Sequence, residues 1–283
     1  SMDDIAQNAK AILIIGSNTT EQHPVFGAML RQAALRGTQI VVADPRSIDV
    51  VEFAKLHLRQ RPGTDVALIN GLIHLIIENG LHDQEFIANR CEGFEELANT
   101  ARLYPPETVE RITGVPASQL REAVAILGQI KPMAVIWSMG ITQHTTGVSN
   151  VLSLANLQML LGNMGVPGGG VNPLRGQNNV QGACDMGALP NVFPGYQRVD
   201  DVVANQTFSE NWRLSFADID EEYQLDSTPG RTVTELIKDA GQGSVRALYV
   251  MGEDPAMTEP DSNHARDCLA ATEFFVLQEI FPS

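Results

Sequence analysis

Five short apolar runs punctuate the chain, and each ends in a polar turn. Ala11-Ile12-Leu13-Ile14-Ile15 leads into Gly16-Ser17-Asn18, and Ile40-Val41-Val42-Ala43 leads into Asp44-Pro45-Arg46. Met133 to Trp137 leads into Ser138-Met139-Gly140, Ala247 to Met251 into Gly252-Glu253-Asp254-Pro255, and Phe274 to Leu277 into Gln278-Glu279. Consecutive apolar residues without alternation predict parallel strands covered on both faces. Between the runs the apolar period lengthens to that of a helix. Residues 25–36 place Val25, Phe26, Met29, Leu30 and Ala33 on one stripe, which Gly37 ends. Asp65 is placed to cap a helix running to about Asn79, with Leu68, Ile69, Leu72, Ile73 and Ile76 inward and Gly80 as its stop. Residues 83–130 read as several short helices broken at Tyr104-Pro105-Pro106, and residues 148–161 as another apolar helix. Strands alternating with helices predict an α/β fold, a Rossmann-like, mainly parallel sheet flanked by helices with right-handed crossovers.

The outline occurs twice. Residues 11–49 and 247–283 both read strand, Gly-polar-polar turn, helix, second strand and polar end. The expected organisation is a first α/β domain over 1–177 and part of a second, related one over 178–283. The chain stops directly after the second copy's second strand, where a covering helix would be expected. It therefore reads as a piece of something longer.

Composition narrows the options. The 283 residues suffice for one large or two moderate domains. No apolar run approaches the roughly 18 residues of a membrane span. A net charge of −15 argues against nucleic acid or an anionic membrane as partner, while leaving room for a local basic site. The start, Ser1-Met2-Asp3-Asp4, resembles a tag remnant and not a signal peptide, so a cytoplasmic protein is expected. Cys91, Cys184 and Cys268 lie far apart without a Cys-x-x-Cys pair, which speaks against a self-contained zinc or iron–sulfur motif and a disulfide scaffold. Cys91 and Cys268 read as buried small hydrophobes. None of His23, His57, His74, His82, His144 and His264 has metal-ligand spacing, and only His144, beside Gln143, stands near a candidate site.

Candidate chemistry gathers in two places. The stretch from Leu174 to Gly187 holds Arg175, the amides Gln177, Asn178, Asn179 and Gln181, and three glycines. It reads as a loop around a large polar ligand, because buried amides need partners and a guanidinium suits an anion. Being glycine- and amide-rich, residues 166–200 are expected to be mobile without that ligand. The second place is the carboxyl edge of the sheet, where open α/β sheets bind ligands. Asn18, Glu21, Asp44, Arg46, Asp65, Met139, Gly140 and Gln143 are expected to converge there. A dinucleotide is the default ligand, yet no Gly-x-Gly-x-x-Gly follows the first strand. Asp44 and Asp65 point to guanine, whose N1–H and exocyclic amine both donate to one carboxylate.

Gly16-Ser17-Asn18, Ala43-Asp44-Pro45-Arg46, Arg61-Pro62-Gly63-Thr64-Asp65, the Ser138-to-His144 segment and the Arg175-to-Gly187 run together resemble the catalytic subunits of molybdenum- or tungsten-dependent formate dehydrogenases. These belong to the dimethyl sulfoxide reductase superfamily, and the resemblance covers essentially the whole chain. It implies a bis(molybdopterin guanine dinucleotide) cofactor. Asp44, Arg46 and Asp65 would hold one guanosine, with Gly63 in the turn before Asp65 and Gly16, Asn18 and Glu21 along that dinucleotide. Met139, Gly140, Gln143 and Gln177 would approach the pterins. Gly252, Glu253, Asp254, Gln278 and Glu279 would serve the second dinucleotide. Arg175 would orient formate, with carbon dioxide as product and electron-transfer subunits as partners.

The chain also departs from that family's pattern. The metal-ligating Cys or selenocysteine and its neighbouring His have no counterpart here, Cys184 does not match that ligand, and the cysteine motif for a 4Fe-4S cluster is missing. The chain is thus expected to be a central fragment, inactive alone and binding no cofactor or metal by itself. The alternatives are a fragment of a related oxidoreductase such as a nitrate reductase, and a non-catalytic guanine-dinucleotide-binding module.

Overall fold

The computed structural model describes residues 1–213 and 224–281, which fall into two compact units, Ser1–Asn178 and Asn179–Ser283. In the first unit, apolar runs long enough to be buried on both sides pair into a single parallel sheet. Its elements are α1 (Met2–Asn8), β1 (Ala11–Ile15), α2 (Thr19–Gln22), α3 (Pro24–Leu35), β2 (Gln39–Ala43) and β3 (Leu56–Leu58), with a 3-10 turn at Asp49–Phe53. Then follow α4 (Asp65–Glu78), α5 (Gln84–Arg90), α6 (Phe94–Ala101), α7 (Pro106–Thr113), α8 (Ala117–Leu127), β4 (Met133–Trp137), α9 (Met139–Thr142), α10 (Gly147–Leu160) and β5 (Val171–Pro173). Strand order is β3-β2-β1-β4-β5, every pair parallel, with Ile12 beside both Ile40 and Ala134.

Successive strand residues face opposite sides, so β1 feeds two cores. Leu13 and Ile15 join Leu68, Leu72 and Leu157 from α4 and α10, whereas Ile12 and Ile14 join Phe26 and Leu30 of α3 and Ile5 of α1. Coverage on both faces holds here as expected, since every residue of β1 and β4 is buried.

Several expectations need correction. The edge strands β3 and β5 escaped the apolar pattern because each has only three residues, and His57 or Asn172 interrupts it. Val25 was expected on the buried stripe of α3, yet it is 77% exposed. The helix packs through Phe26, Leu30 and Ala33, spaced four and three apart, which leaves Val25 one step off that face. Asp65 is not the cap of α4: Thr64 takes that position and Asp65 is the first helical residue. The inward residues of α4 are otherwise those expected, all buried. Cys91 is half-buried because it ends α5 in an extended conformation, while Cys268 is buried.

The second unit comprises α11 (Val180–Asp185), β6 (Val192–Phe193) antiparallel to β7 (Gln197–Arg198), α12 (Val202–Arg213), α13 (Val233–Gly241), β8 (Ala247–Met251), α14 (Pro255–Thr258), α15 (Ser262–Ala270) and β9 (Phe274–Gln278). Helix α11 occupies part of the amide-rich run that reads as a loop; Asn179, left-handed at φ 51, starts it. The repeated outline is present in the fold. Strands β8 and β9 pair in parallel over five residues, as β1 and β2 do, and each pair is joined by a four-residue helix and then a longer one. Coverage differs between the two copies. Tyr249, Met251 and Phe274 are exposed among the described residues, against the expectation of two covered faces. The small core here comprises Ile237 of α13 with Ala265 and Cys268 of α15.

Replacing Leu72 by Ala, at 1% exposure, should lower unfolding free energy by about 2–5 kcal/mol in denaturant titrations. The Val25→Ala change should stay within about 0.5 kcal/mol.

Candidate functional site

From β1 the chain moves outward to β2 and β3, then returns through helices to place β4 on the other side of β1. The turns after β1 and β4 therefore diverge at a topological switch point, where α/β sheets open a crevice. Two glycines let these turns touch. Gly140 N–H donates to Gly16 O at 3.1 Å. A Cβ on Gly16, whose φ is +56°, would lie 2.7 Å from the Gly140 carbonyl carbon, and a Cβ on Gly140 would lie 2.6 Å from Gly16 O.

A cavity of about 350 Å³ opens beside this contact. Gly16 and Asn18 reach it from the β1 turn, Asp44 and Arg46 from the β2 turn, Asp65 from the first turn of α4, and Met139, Gly140 and Gln143 from the α9 segment. Glu21 and Gly63 do not line it. Glu21 is exposed and accepts from Asn18 Nδ2 at 2.6 Å. Gly63 holds the turn before α4 at φ +79°, with open space where a Cβ would be, and Pro62 forms the wall.

The sequence reading missed Ser17 and Gln60, both 2% exposed and both in the lining. Gln60 follows β3, so overlooking that strand hid the residue behind it. Gln60 Nε2 donates to Asp65 Oδ1 at 3.1 Å, and its Oε1 and the Ser17 hydroxyl are buried without a partner among the described residues. His144 also lines the cavity, its Nε2 3.0 Å from Gly140 O.

Two carboxylates dominate the electrostatics. Asp44 and Asp65 are 6% and 5% exposed, and neither forms a salt bridge among the described residues. Asp44 Oδ1 accepts from Arg46 N–H at 2.8 Å, and the Asp44 carbonyl accepts from His57 Nε2 at 2.8 Å. Buried carboxylates with acceptor capacity to spare suit a ligand rich in N–H donors. A second cavity of the same volume, walled by Asn70, Cys91, Phe94 and Ser153, receives nothing from a strand-end turn.

Arg175 and Gln177 lie just past β5, on the same sheet edge but outside the cavity lining. Ser138 Oγ donates to Leu174 O at 3.0 Å, and His23 Nε2 lies 2.7 Å from Arg175 O. A Cβ on Gly176 would sit 2.7 Å from Met139 Sδ, so this segment lies against one wall of the cavity.

The molybdopterin oxidoreductase family matches residues 2–283. The chain belongs to that family. It is 45% identical over 281 residues to the F420-dependent formate dehydrogenase subunit alpha of Methanocaldococcus jannaschii, covering 99% of this chain and 40% of that protein. Formate dehydrogenase H of Escherichia coli is 42% identical over 274 residues, covering 97% of this chain and 37% of its own length. The chain thus spans about 40% of the length of such relatives. Acetylene hydratase from Pelobacter acetylenicus shares the fold, with a TM-score of 0.67 at 22% identity over 96% of this chain and 39% of that one.

Membership in the molybdopterin oxidoreductases implies a molybdopterin cofactor, and the crevice fits one. It combines a close glycine approach, two buried carboxylates and two buried polar atoms without partners among the described residues. In the second unit, Gly252, Glu253 and Asp254 follow β8 while Gln278 ends β9 and Glu279 follows it, so all five lie at the carboxyl edge of that sheet. Gly252 N–H donates to Gln278 O at 2.9 Å, just as Gly16 N–H donates to Ala43 O at 3.1 Å. Tyr249 donates its hydroxyl to Gln278 Oε1. Among the described residues no cluster of His, Cys or acidic side chains could hold a metal ion, and no helix is long and apolar enough to cross a membrane.

Gly140→Ala should cost more unfolding free energy than Gly63→Ala. The first drives a Cβ into backbone; the second carries only left-handed strain of about 1–2 kcal/mol. Equal costs in denaturant titrations would show that the two turns are not in tight contact.

Proposed function

We propose that this chain is the central part of a formate dehydrogenase catalytic subunit that oxidises formate to carbon dioxide. The observation that carries this reading is the position of Arg175 beside a crevice lined by two buried carboxylates, in a chain 42–45% identical to such subunits. The cofactor of this reading is bis(molybdopterin guanine dinucleotide) with molybdenum or tungsten, and when bound it supplies the two-electron oxidation. Its metal ligand, a 4Fe-4S cluster and the contacts to electron-transfer subunits belong to the longer polypeptide, and the isolated chain is inactive.

The chain's own residues have three tasks in this scheme. Asp44 and Asp65 accept hydrogen bonds from a guanine edge, which adenine cannot offer. Glycine at 16 and 140 keeps the crevice floor free of side chains, so that backbone can approach the ligand. Arg175 presents a planar fork to the two oxygens of formate and so leaves the C–H bond facing inward. Gln143 and Gln177 offer amides to pterin edges, and Gly252, Glu253, Asp254, Gln278 and Glu279 repeat the nucleotide task in the second unit.

Two measurements test this. Guanosine monophosphate titrated into the chain in a calorimeter should bind more tightly than adenosine monophosphate, and Asp65→Asn should weaken it about tenfold. In the longer enzyme, Arg175→Lys should lower kcat/KM for formate by about 10- to 100-fold at unchanged metal content. Retention of full formate activity would remove Arg175 from the substrate site.

A further inference from the structure

Arg175 needs a fixed position to orient a substrate as small as formate, yet the residues around it are rich in glycine and amides. Three successive residues are nevertheless held from outside the segment. Leu174 N–H donates to Trp137 O at 2.8 Å, and Leu174 O accepts from Ser138 Oγ at 3.0 Å. Gly176 lies so close to Met139 that a Cβ there would be 2.7 Å from its sulfur. Between them, the Arg175 carbonyl lies 2.7 Å from His23 Nε2, across 152 residues of sequence. A carbonyl oxygen only accepts, so Nε2 is the donor and this tautomer is set by the contact. The other ring nitrogen, Nδ1, is buried without a partner among the described residues, so the imidazole's hydrogen bond there is the one to Arg175.

His23 is itself a rigid post. Its N–H donates to Thr19 O at 3.1 Å, and its carbonyl accepts from Gly27 N–H at 2.8 Å. It forms the joint between α2 and α3, and these are wedged together at Gly27, where a Cβ would lie 2.9 Å from Thr19 O. A side chain so held transmits the position of the sheet edge to whatever it touches.

We infer that His23 is a positioning residue: its Nε2–H clamps the main chain at Arg175 and thereby fixes where the guanidinium stands for formate. The inference rests on the role proposed above for Arg175. Gln at 23 carries an N–H donor about as far from the backbone as Nε2, whereas Ala carries none, so the two variants separate the hydrogen bond from the mere presence of a side chain.

The clamp is read first on the chain itself, without any activity. Trypsin cleaves the Arg175–Gly176 bond by attacking the carbonyl that His23 holds. His23→Ala should speed cleavage there about fivefold relative to cleavage after the exposed Arg90, with His23→Gln close to the parent chain. General loosening would speed both sites alike, and equal acceleration at Arg90 would overturn the clamp. The second reading is kinetic, in the longer enzyme with cofactor content matched. His23→Ala should raise KM for formate about fivefold with kcat little changed, and His23→Gln should restore it. A fall in kcat alone, or failure of Gln to restore KM, would assign His23 a purely structural role. If Arg175→Lys leaves formate kinetics unchanged, the Arg175 role fails instead; if that variant is impaired and His23→Ala is not, only the clamp fails.

Discussion

The contact between Gly16 and Gly140 sets the geometry on which the rest of the site depends. Strand β1 pairs with β2 on one side and β4 on the other, and the turns leaving β1 and β4 meet at this one point. With any side chain at either position the turns would have to separate or distort, since the Cβ positions fall 2.6–2.7 Å from backbone atoms. The closeness is possible because β1 is wholly buried and both faces of the sheet are packed, so its strand ends cannot drift. A rigid core on two sides thus delivers five polar turns to one edge.

That edge reconciles an acidic protein with an anionic ligand. The net charge of −15 opposes phosphate at long range. In the proposed reading, a nucleotide at this crevice would be recognised through short-range donors and acceptors: two carboxylates for a base edge, glycine backbone for close approach, and arginine for anionic groups. Coulomb attraction over distance contributes little, because charges separated by more than about 10 Å are largely screened in physiological salt. Specificity at such a site comes from the match of hydrogen-bond patterns, and a mismatch leaves buried polar groups unpaired.

The second unit repeats the first copy's strand–turn–helix–strand path down to the same backbone hydrogen bond, from the glycine after one strand to the last residue of its parallel neighbour. The hydrophobic content of the two copies is alike, but their burial is not. Five paired strands with helices on both faces enclose β1, whereas two strands by themselves leave Tyr249, Met251 and Phe274 in contact with solvent. A strand's apolar run records the coverage it was selected for, and the neighbours within reach decide the coverage it has.

Local pattern alone determined the strands β1, β2, β4, β8 and β9, the inward face of α4 and the polar turns, because period and chain chemistry are properties of neighbouring residues. It also singled out Asp44, Met139 and Gln143, since turns that follow a buried strand share one edge of the sheet, and Asp65, at the start of a helix. Tertiary structure decided what required distant partners. Val25 turned outward because α3 met the sheet through Phe26, Leu30 and Ala33; Gln60 entered the crevice because β3 added itself to an edge; Glu21 stayed outside the lining, bonded to Asn18. His23 is the clearest case: nothing within 150 residues of it in sequence hints at Arg175, and only the folding of α2 and β5 onto one sheet edge brings its Nε2 to that carbonyl. Hydrogen bonds of this kind are set by where the sheet carries the backbone, and that order of strands is written in no single segment of the chain.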